Sequence, residues 1–162
     1  MSGDLRIPAS VLAEVYAHAR DRFPAECCGW LAGPRGGDGV TRAVRAESDA
    51  AEIPRLIGAD RTEERAYAFG RKELLTFMRE LDGPEPPRVI YHSHPNGRAY
   101  FSDADHAAAT AGWDEPTAPV LHLVVGVLAD RVTEAKLFDW DAGRKAFVEV
   151  ARFGGDARDA LR

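Results

Sequence analysis

Residues 88–105 read RVIYHSHPNGRAYFSDAD, and they carry the clearest structural signals in the chain. Its first part, residues 88–94, predicts a strand, because valine, isoleucine and tyrosine favour extended backbone. Pro95 ends that strand, since proline has no N–H to donate to a neighbouring strand. Ser102 then opens a helix, because a serine side chain caps the first turn. A strand that leads through a short loop into a helix is typical of an α/β domain.

The rest of the chain predicts further elements around this unit. Apolar residues at helical spacing predict a helix over residues 7–23, with Pro8 in its first turn and Ser10 as its cap. A second helix is predicted over residues 67–81, with four side chains pointing inward: Leu74, Leu75, Phe77 and Met78. Short apolar and alternating runs predict five more strands, over residues 26–32, 40–47, 120–128, 132–140 and 146–150. Together they predict a mostly antiparallel or mixed central sheet flanked by helices.

The length of 162 residues fits a single domain. We assign residues 1–153 to that domain and expect residues 154–162 to form a flexible C-terminal tail. Residues 48–64 show little periodicity and predict a loop that lies near the functional site and gates it.

Composition and charge exclude several classes of protein. With 45% hydrophobic and 29% charged residues, the chain is globular rather than disordered. No apolar run reaches the roughly 20 residues of a membrane-spanning helix, and no signal-peptide pattern is visible. The net charge of −5 argues against a nucleic-acid-binding protein, which usually carries a basic surface. A disulfide between the adjacent Cys27 and Cys28 would be strained, and two free thiols indicate a cytoplasmic protein.

Three residues of the opening stretch have the spacing of metal ligands. His92 and His94 lie two apart on a predicted strand, so their imidazoles point to the same face. Asp105 falls in the first turn of the following helix and reaches back toward the end of that strand. Two histidines and one carboxylate leave one tetrahedral position for water, which is the pattern of a catalytic zinc site. Iron, cobalt or nickel fits the same donor set less well than zinc.

Glu26 is the candidate base for such a site. A zinc-activated water still needs a carboxylate to take its proton and pass it to the leaving amine. Glu26 begins an otherwise apolar strand, where a charged residue is out of place unless it faces a site. Each feature alone has an ordinary structural explanation, and Ser102 followed by Asp105 is a common capping pattern. Their occurrence together, in this order, indicates catalysis.

The sequence resembles the JAMM (MPN-plus) zinc metalloproteases. The signature of that family is a Glu-x-Cys-Gly segment, then His-Ser/Thr-His-Pro, six residues, Ser, two residues and Asp. The matching positions here are residues 26–29, 92–95, the spacer 96–101, Ser102 and Asp105. The resemblance extends over roughly residues 5–140. It implies the fold of a single MPN domain, which is similar to that of cytidine deaminases.

The resemblance also implies a role for each matching residue. These roles are the binding of one zinc ion per chain by His92, His94 and Asp105, general base catalysis by Glu26, and a hydrogen bond to the oxyanion from Ser102. Ser93 stands between the histidines and is expected to face the other way, in a structural role. Tyr100 and Phe101 form either core packing or one wall of a substrate groove.

JAMM enzymes hydrolyse amide or isopeptide bonds after the C-terminal Gly-Gly of ubiquitin-like proteins. The short segment between the Asp105 helix and the Val120 strand resembles the compact prokaryotic branch, which acts on sulfur-carrier proteins and carrier–cysteine adducts. We therefore expect a cytoplasmic zinc peptidase acting on a sulfur-carrier protein, without nucleic-acid or membrane partners. Two alternatives stay open: an isopeptidase that removes a ubiquitin-like modifier, as in phage defence, and a non-catalytic MPN scaffold. The oligomeric state stays open as well.

Overall fold

The computed structural model describes residues 5–46 and 69–156 of the chain. The predicted loop over residues 48–64 lies outside these ranges, and its gating role stays a prediction. Within the described ranges, no helix is long and apolar enough to cross a membrane.

All nine predicted helices and strands are found within the described residues, with small shifts of their ends. The helices are α1 (Ala9–Arg22), α2 (Arg71–Leu81) and α3 (Asp103–Thr110). The strands are β1 (Cys28–Ala32), β2 (Arg42–Ala46), β3 (Pro87–His94), β4 (Leu121–Leu128), β5 (Arg131–Asp141) and β6 (Ala146–Gly154). The chain is therefore an α/β domain, as the sequence predicts.

The six strands form one sheet in the order β2-β1-β3-β4-β5-β6. The central pair β3 and β4 is parallel, and the other neighbouring pairs are antiparallel. Parallel neighbours need a crossover connection, which here runs from β3 through α3 to β4. The carboxyl end of β3 and the amino end of α3 therefore meet at one edge of the sheet, where ligands usually bind in α/β folds. The predicted mixed sheet flanked by helices is confirmed.

Helices cover both faces of this sheet. On one face Val15 of α1 packs in the same buried cluster as Tyr91 of β3. On the other face Phe77 of α2 packs over β1, and Ala109 of α3 packs against Val124 of β4. Each large apolar side chain buried in this way contributes about 1.5–3 kcal/mol to folding. The side chains of β3 thus alternate between a face covered by α1 and a face that holds α3.

The predicted inward face of α2 is largely wrong. Of its four side chains only Phe77 is buried, with its ring centroid 5.4 Å from that of Trp30 and 5.6 Å from that of Phe69. The aromatic ring of Phe77 fills the contact between helix and sheet, so neighbouring positions on α2 stay outside it. The other three side chains are about half exposed: Leu74, Leu75 and Met78.

The start of α1 and the end of β6 also differ from the prediction. Pro8 takes the cap position of α1 without a side-chain hydrogen bond, so Ser10 is not a cap. β6 runs to Gly154, and the backbone N–H of Val132 donates to the Asp156 carboxylate at 2.6 Å. Residues 154–156 are therefore held against β5 rather than frayed, and residues 157–162 lie outside the described ranges.

A buried hydrogen bond of 2.7 Å joins the His18 Nδ1 of α1 to the Tyr91 hydroxyl of β3. Burial, followed by the positive charges of Arg45 and Arg22, lowers the pKa of His18 to about 4. The imidazole is thus neutral in the folded protein at pH values where it gains a proton in the unfolded chain.

The folded protein should lose stability as the pH falls below about 6.5, where the unfolded His18 takes up a proton and the folded one does not. Between pH 7 and pH 5 this residue alone should lower the free energy of unfolding by about 2 kcal/mol. The loss should level off below the folded pKa. Urea unfolding at the two pH values measures it. In His18→Asn, which keeps an acceptor but cannot gain a proton, the drop should be smaller by that amount, and an equal drop in both proteins would contradict the assignment.

Candidate metal centre and active-site cleft

The end of β3 places two imidazoles side by side. His92 and His94 lie on the α3 face of the strand, and both are buried, at 0% and 6% exposure. Their Nε2 atoms are 3.3 Å apart. The alternation of side chains along a strand produces this arrangement, because residues two apart share a face.

The first turn of α3 brings a carboxylate to the same point. Asp105 Oδ1 lies 3.1 Å from His92 Nε2, and Asp105 Oδ2 lies 3.1 Å from His94 Nε2. Ser102 holds the aspartate in place through a capping box. The Asp105 N–H donates to the Ser102 hydroxyl oxygen at 3.0 Å, and the Ser102 N–H donates to Asp105 Oδ2 at 3.0 Å. The structure therefore brings together the three residues predicted to bind metal.

The donor set fits a zinc ion. One ligand atom from each of the three side chains lies within 4.8 Å of the others, and all three side chains are buried. His94 Nδ1 lies 3.2 Å from the Arg98 carbonyl oxygen. A carbonyl only accepts, so Nδ1 carries the proton and Nε2 directs its lone pair into the cluster. Two imidazole nitrogens and a carboxylate facing one point are the ligands that zinc binds in catalytic sites.

The Asp105 carboxylate and the adjacent imidazoles stabilise each other's charged forms. Burial opposes the ionisation of Asp105, but the adjacent imidazoles of His92 and His94 outweigh it and hold the pKa of the carboxyl well below its usual range. Burial would likewise lower the pKa of His94, but the hydrogen bond and charge of Asp105 outweigh it and raise that pKa. A proton and a metal ion therefore compete for the same imidazole, and acid disfavours metal binding.

A cleft of about 430 Å³ opens beside the cluster. Glu26 and Ser102 line it together with His94 and Asp105. Glu26 is 7% exposed and lies two residues before Cys28, which pairs with His92 across β1 and β3. The structure thus places the predicted base and the predicted oxyanion donor on one cleft with two of the predicted ligands.

Ser93 faces away from the cluster, as the sequence predicts. Its hydroxyl accepts a hydrogen bond of 2.8 Å from the Cys27 N–H, and its own N–H donates to the Cys27 carbonyl at 3.1 Å. These bonds fix the chain next to Glu26.

Cys27 and Cys28 point to opposite faces, both are buried, and burial raises the pKa of each thiol. Among the described residues, neither cysteine belongs to the metal-binding group.

Tyr100 and Phe101 divide the two roles that the sequence leaves open. Tyr100 is 45% exposed, lines the cleft, and has its ring centroid 4.7 Å from that of His94. Phe101 turns the other way and packs against Phe138 and Phe147 at 5.5 and 4.5 Å. One residue is therefore a wall of the cleft, and the other anchors the loop in the core.

The loop of residues 95–101 is held closely against the sheet. Gly97 has a φ of +78°, and its carbonyl accepts from the Thr133 hydroxyl of β5. The Ala99 N–H donates to the Glu134 carboxylate at 2.9 Å. Sequence reasoning identifies Gly97 as a turn residue but misses the role of Arg98, because any residue offers a carbonyl and no side-chain pattern marks which one contacts His94.

The amino-acid sequence of the chain matches a known protein family and several named relatives. A model of the prokaryotic homologs of the JAB domain matches residues 8–142. Over 107 residues the chain is 38% identical to proteins named CysO-cysteine peptidase from Mycobacterium tuberculosis and Mycobacterium bovis. The match covers 65% of this chain and 66% of those relatives, so the chain spans about two thirds of their length.

Two solved structures have a similar fold. A protein from Desulfitobacterium hafniense superimposes with a TM-score of 0.59 at 22% identity, over 90% of this chain and 88% of that one. A protein from Salinibacter ruber gives a TM-score of 0.59 at 20% identity, over 89% and 87% of the two chains. At these identities the likeness concerns the fold.

Gly126 of β4 pairs with His94 of β3 and should be required for zinc affinity, although it offers no metal-binding side chain. A Cβ atom at this position would lie 2.6 Å from the Gly97 carbonyl carbon and 2.7 Å from the Arg98 nitrogen. Gly126→Ala must therefore displace the loop whose Arg98 carbonyl orients His94. We expect zinc affinity to fall about 10- to 100-fold, as for other groups that orient a metal ligand. Competition with a chromogenic chelator measures it.

Gly154→Ala in β6 is the matched control, because a Cβ there meets nothing within 4 Å. It should bind zinc as the wild type does. A Gly126→Ala protein that is folded by circular dichroism and binds zinc with unchanged affinity would refute the role of the loop.

Proposed function

The chain belongs to the family of prokaryotic homologs of the JAB domain, and from this premise we propose that it is a zinc-dependent peptidase. It hydrolyses the amide bond after the C-terminal Gly-Gly of a sulfur-carrier protein. The observation that carries the proposal is that three possible metal ligands lie beside a carboxylate and a hydroxyl on one cleft. The ligands are His92, His94 and Asp105, and the two polar side chains are those of Glu26 and Ser102. A scaffold protein has no need of this combination.

His92, His94 and Asp105 would hold the zinc ion through two Nε2 atoms and the carboxylate. Bound zinc acts as a Lewis acid on a carbonyl and lowers the pKa of a water molecule toward 7. The protein contributes the orientation of these ligands, since the Arg98 carbonyl fixes the tautomer of His94 and the capping box fixes Asp105.

Glu26 is the proton carrier in this proposal. Its carboxylate takes a proton from the attacking water and delivers it to the nitrogen of the leaving amine, so that the amine departs neutral. A buried carboxylate at the wall of the cleft is suited to this task because it is close to the reacting groups and shielded from bulk water. The bonds of Ser93 to Cys27 hold the backbone beside it.

Ser102 is the hydrogen-bond donor to the developing oxyanion. Its hydroxyl oxygen accepts from the Asp105 N–H, which leaves the hydroxyl proton to donate into the cleft. A donor that is already oriented by the helix cap requires no rearrangement when charge develops. Capping and catalysis therefore use different parts of the same hydroxyl group.

The choice of substrate rests on the relatives. Two of them are named CysO-cysteine peptidase, and they are 38% identical to this chain over the matched region. A glycine pair at the end of the carrier suits a cleft whose wall includes the Tyr100 ring, because glycine has no side chain to clash with it. We propose a cytoplasmic location because the free thiols of Cys27 and Cys28 suit a reducing compartment.

Glu26→Gln should strongly reduce cleavage while leaving the metal in place. Glutamine keeps the shape of the side chain but cannot accept a proton, so kcat should fall about 10²- to 10⁴-fold. The assay uses a sulfur-carrier protein extended by cysteine after Gly-Gly, an isopeptide-linked conjugate of the same carrier, intact-mass readout of the products and metal analysis. Near one zinc per chain with cleavage in the wild type alone supports the proposal. A wild type that binds no zinc at neutral pH would revive the scaffold alternative, and cleavage of the isopeptide conjugate alone would favour the deconjugating enzyme.

Ser102→Ala should lower both activity and stability. Loss of the oxyanion donor should reduce kcat about 10²- to 10³-fold, and loss of the helix cap should reduce the free energy of unfolding by about 1 kcal/mol. Ser102→Thr, which retains a hydroxyl for both tasks, should restore most of each. Zinc content, kcat and urea unfolding are measured on all three proteins. Full activity in Ser102→Ala would show that the hydroxyl only caps α3.

A further inference from the structure

We propose that Arg98 binds the α-carboxylate of the leaving group, and that the protein thereby prefers substrates in which a single free amino acid follows Gly-Gly. The inference rests on the proposed function and deepens it by specifying the chemistry on the far side of the scissile bond. A lysine side chain within a folded protein offers no carboxylate at that position. Arg98 would thus allow the protein to distinguish carrier–amino-acid adducts from isopeptide conjugates as substrates.

The backbone of Arg98 is fixed from several sides. Its N–H donates to the Asn96 side-chain oxygen at 3.0 Å, and its carbonyl contacts His94 Nδ1 at 3.2 Å. The neighbouring residues Gly97 and Ala99 are hydrogen-bonded to β5. The Cα of Arg98 therefore has a defined position relative to His94, and its side chain is exposed.

The side chain of Arg98 lies beside Tyr100, a residue that lines the cleft. Its guanidinium carbon lies 6.0 Å from the centroid of the Tyr100 ring, and that ring lies next to His94. The residue is exposed, and within residues 5–46 and 69–156 no carboxylate forms an ion pair with it. Arg98 is thus a cation whose aromatic contact holds it near the reacting groups without neutralising its charge.

The charge of the cleft explains why such a cation is needed. Three carboxylates line it, those of Glu26, Asp103 and Asp105. In a carrier–amino-acid adduct, the carboxylate carbon lies two bonds from the scissile nitrogen, at about 2.5 Å. Even with one Zn²⁺ bound, these three carboxylates leave the cleft a formal charge of −1, so a substrate carboxylate there is stabilised by a further cation. The guanidinium group is suited to this role, because it binds a carboxylate through two parallel hydrogen bonds and keeps its charge at any working pH.

The test compares two substrates that differ in one charge. A sulfur-carrier protein ending in Gly-Gly is extended by one serine, either with a free carboxylate or as the carboxamide. Serine replaces cysteine so that no thiol competes for zinc. We expect the wild type to cleave the carboxylate form with a kcat/KM about tenfold higher, mainly through KM, since a charge-assisted hydrogen bond is worth at least this factor.

Arg98→Gln should bring the ratio of the two kcat/KM values to about one. The Arg98 carbonyl also orients His94, so zinc content is measured in parallel, and any general loss of activity falls on both substrates and cancels in the ratio. Arg98→Lys should recover part of the preference. Arg144→Gln is the matched control, because Arg144 is an exposed arginine in the turn between β5 and β6 and should leave the ratio as in the wild type.

Binding separates this inference from the proposed function. The affinities of both substrates are measured by calorimetry on Glu26→Gln and on the double variant with Arg98→Gln. Tighter binding of the carboxylate form that disappears in the double variant supports the role of Arg98, even if neither substrate is cleaved and the peptidase proposal fails. Cleavage of both forms at equal rates, or equal binding of both by Glu26→Gln, would overturn the inference and leave the peptidase intact.

Discussion

The carboxylate of Asp105 both caps α3 and contacts His92 and His94, and the arrangement of the site depends on this double contact. One oxygen accepts the Ser102 N–H and so closes the capping box at the start of α3. The same oxygen lies 3.1 Å from His94, while the other lies 3.1 Å from His92. Helix initiation and ligand placement are therefore one structural event. A helix that started one residue later would lose both the cap and the third member of the candidate metal-binding group.

The parallel pairing of β3 with β4 determines where α3 begins relative to the two histidines. A parallel connection sends the chain out over the carboxyl end of β3 before it returns, so the loop and the amino end of α3 necessarily lie above the two histidines. Glu26 approaches from the other neighbour, β1, through the pairing of Cys28 with His92. The cleft is thus bounded on one side by β1 and on the other by the loop over β4 and β5.

Much of this architecture could be predicted from the sequence, because local signals agree with tertiary structure there. Pro95 and Ser102 mark where a strand ends and a helix begins, and alternation places His92 and His94 on one face. The errors arise where tertiary packing decides. The exposed Leu74 and Met78 have helical spacing, but the Phe77 ring fills the contact with the sheet before they reach it. The contact of the Arg98 carbonyl with His94 has no sequence signature, since it depends on how closely Gly97 approaches Gly126.

The alternation of residues 98–101 has a consequence for how such a protein changes over generations. Arg98 and Tyr100 are exposed, and Tyr100 lines the cleft, whereas Ala99 is 2% exposed and Phe101 is anchored among aromatic rings. Exposed positions beside the cleft are thereby interleaved with positions that keep the domain folded. Exchanges at the exposed positions should cost little stability, because surface substitutions usually change it by less than about 0.5 kcal/mol. The chemistry presented at the cleft is therefore adjustable at Arg98 and Tyr100 without rebuilding the buried residues between them.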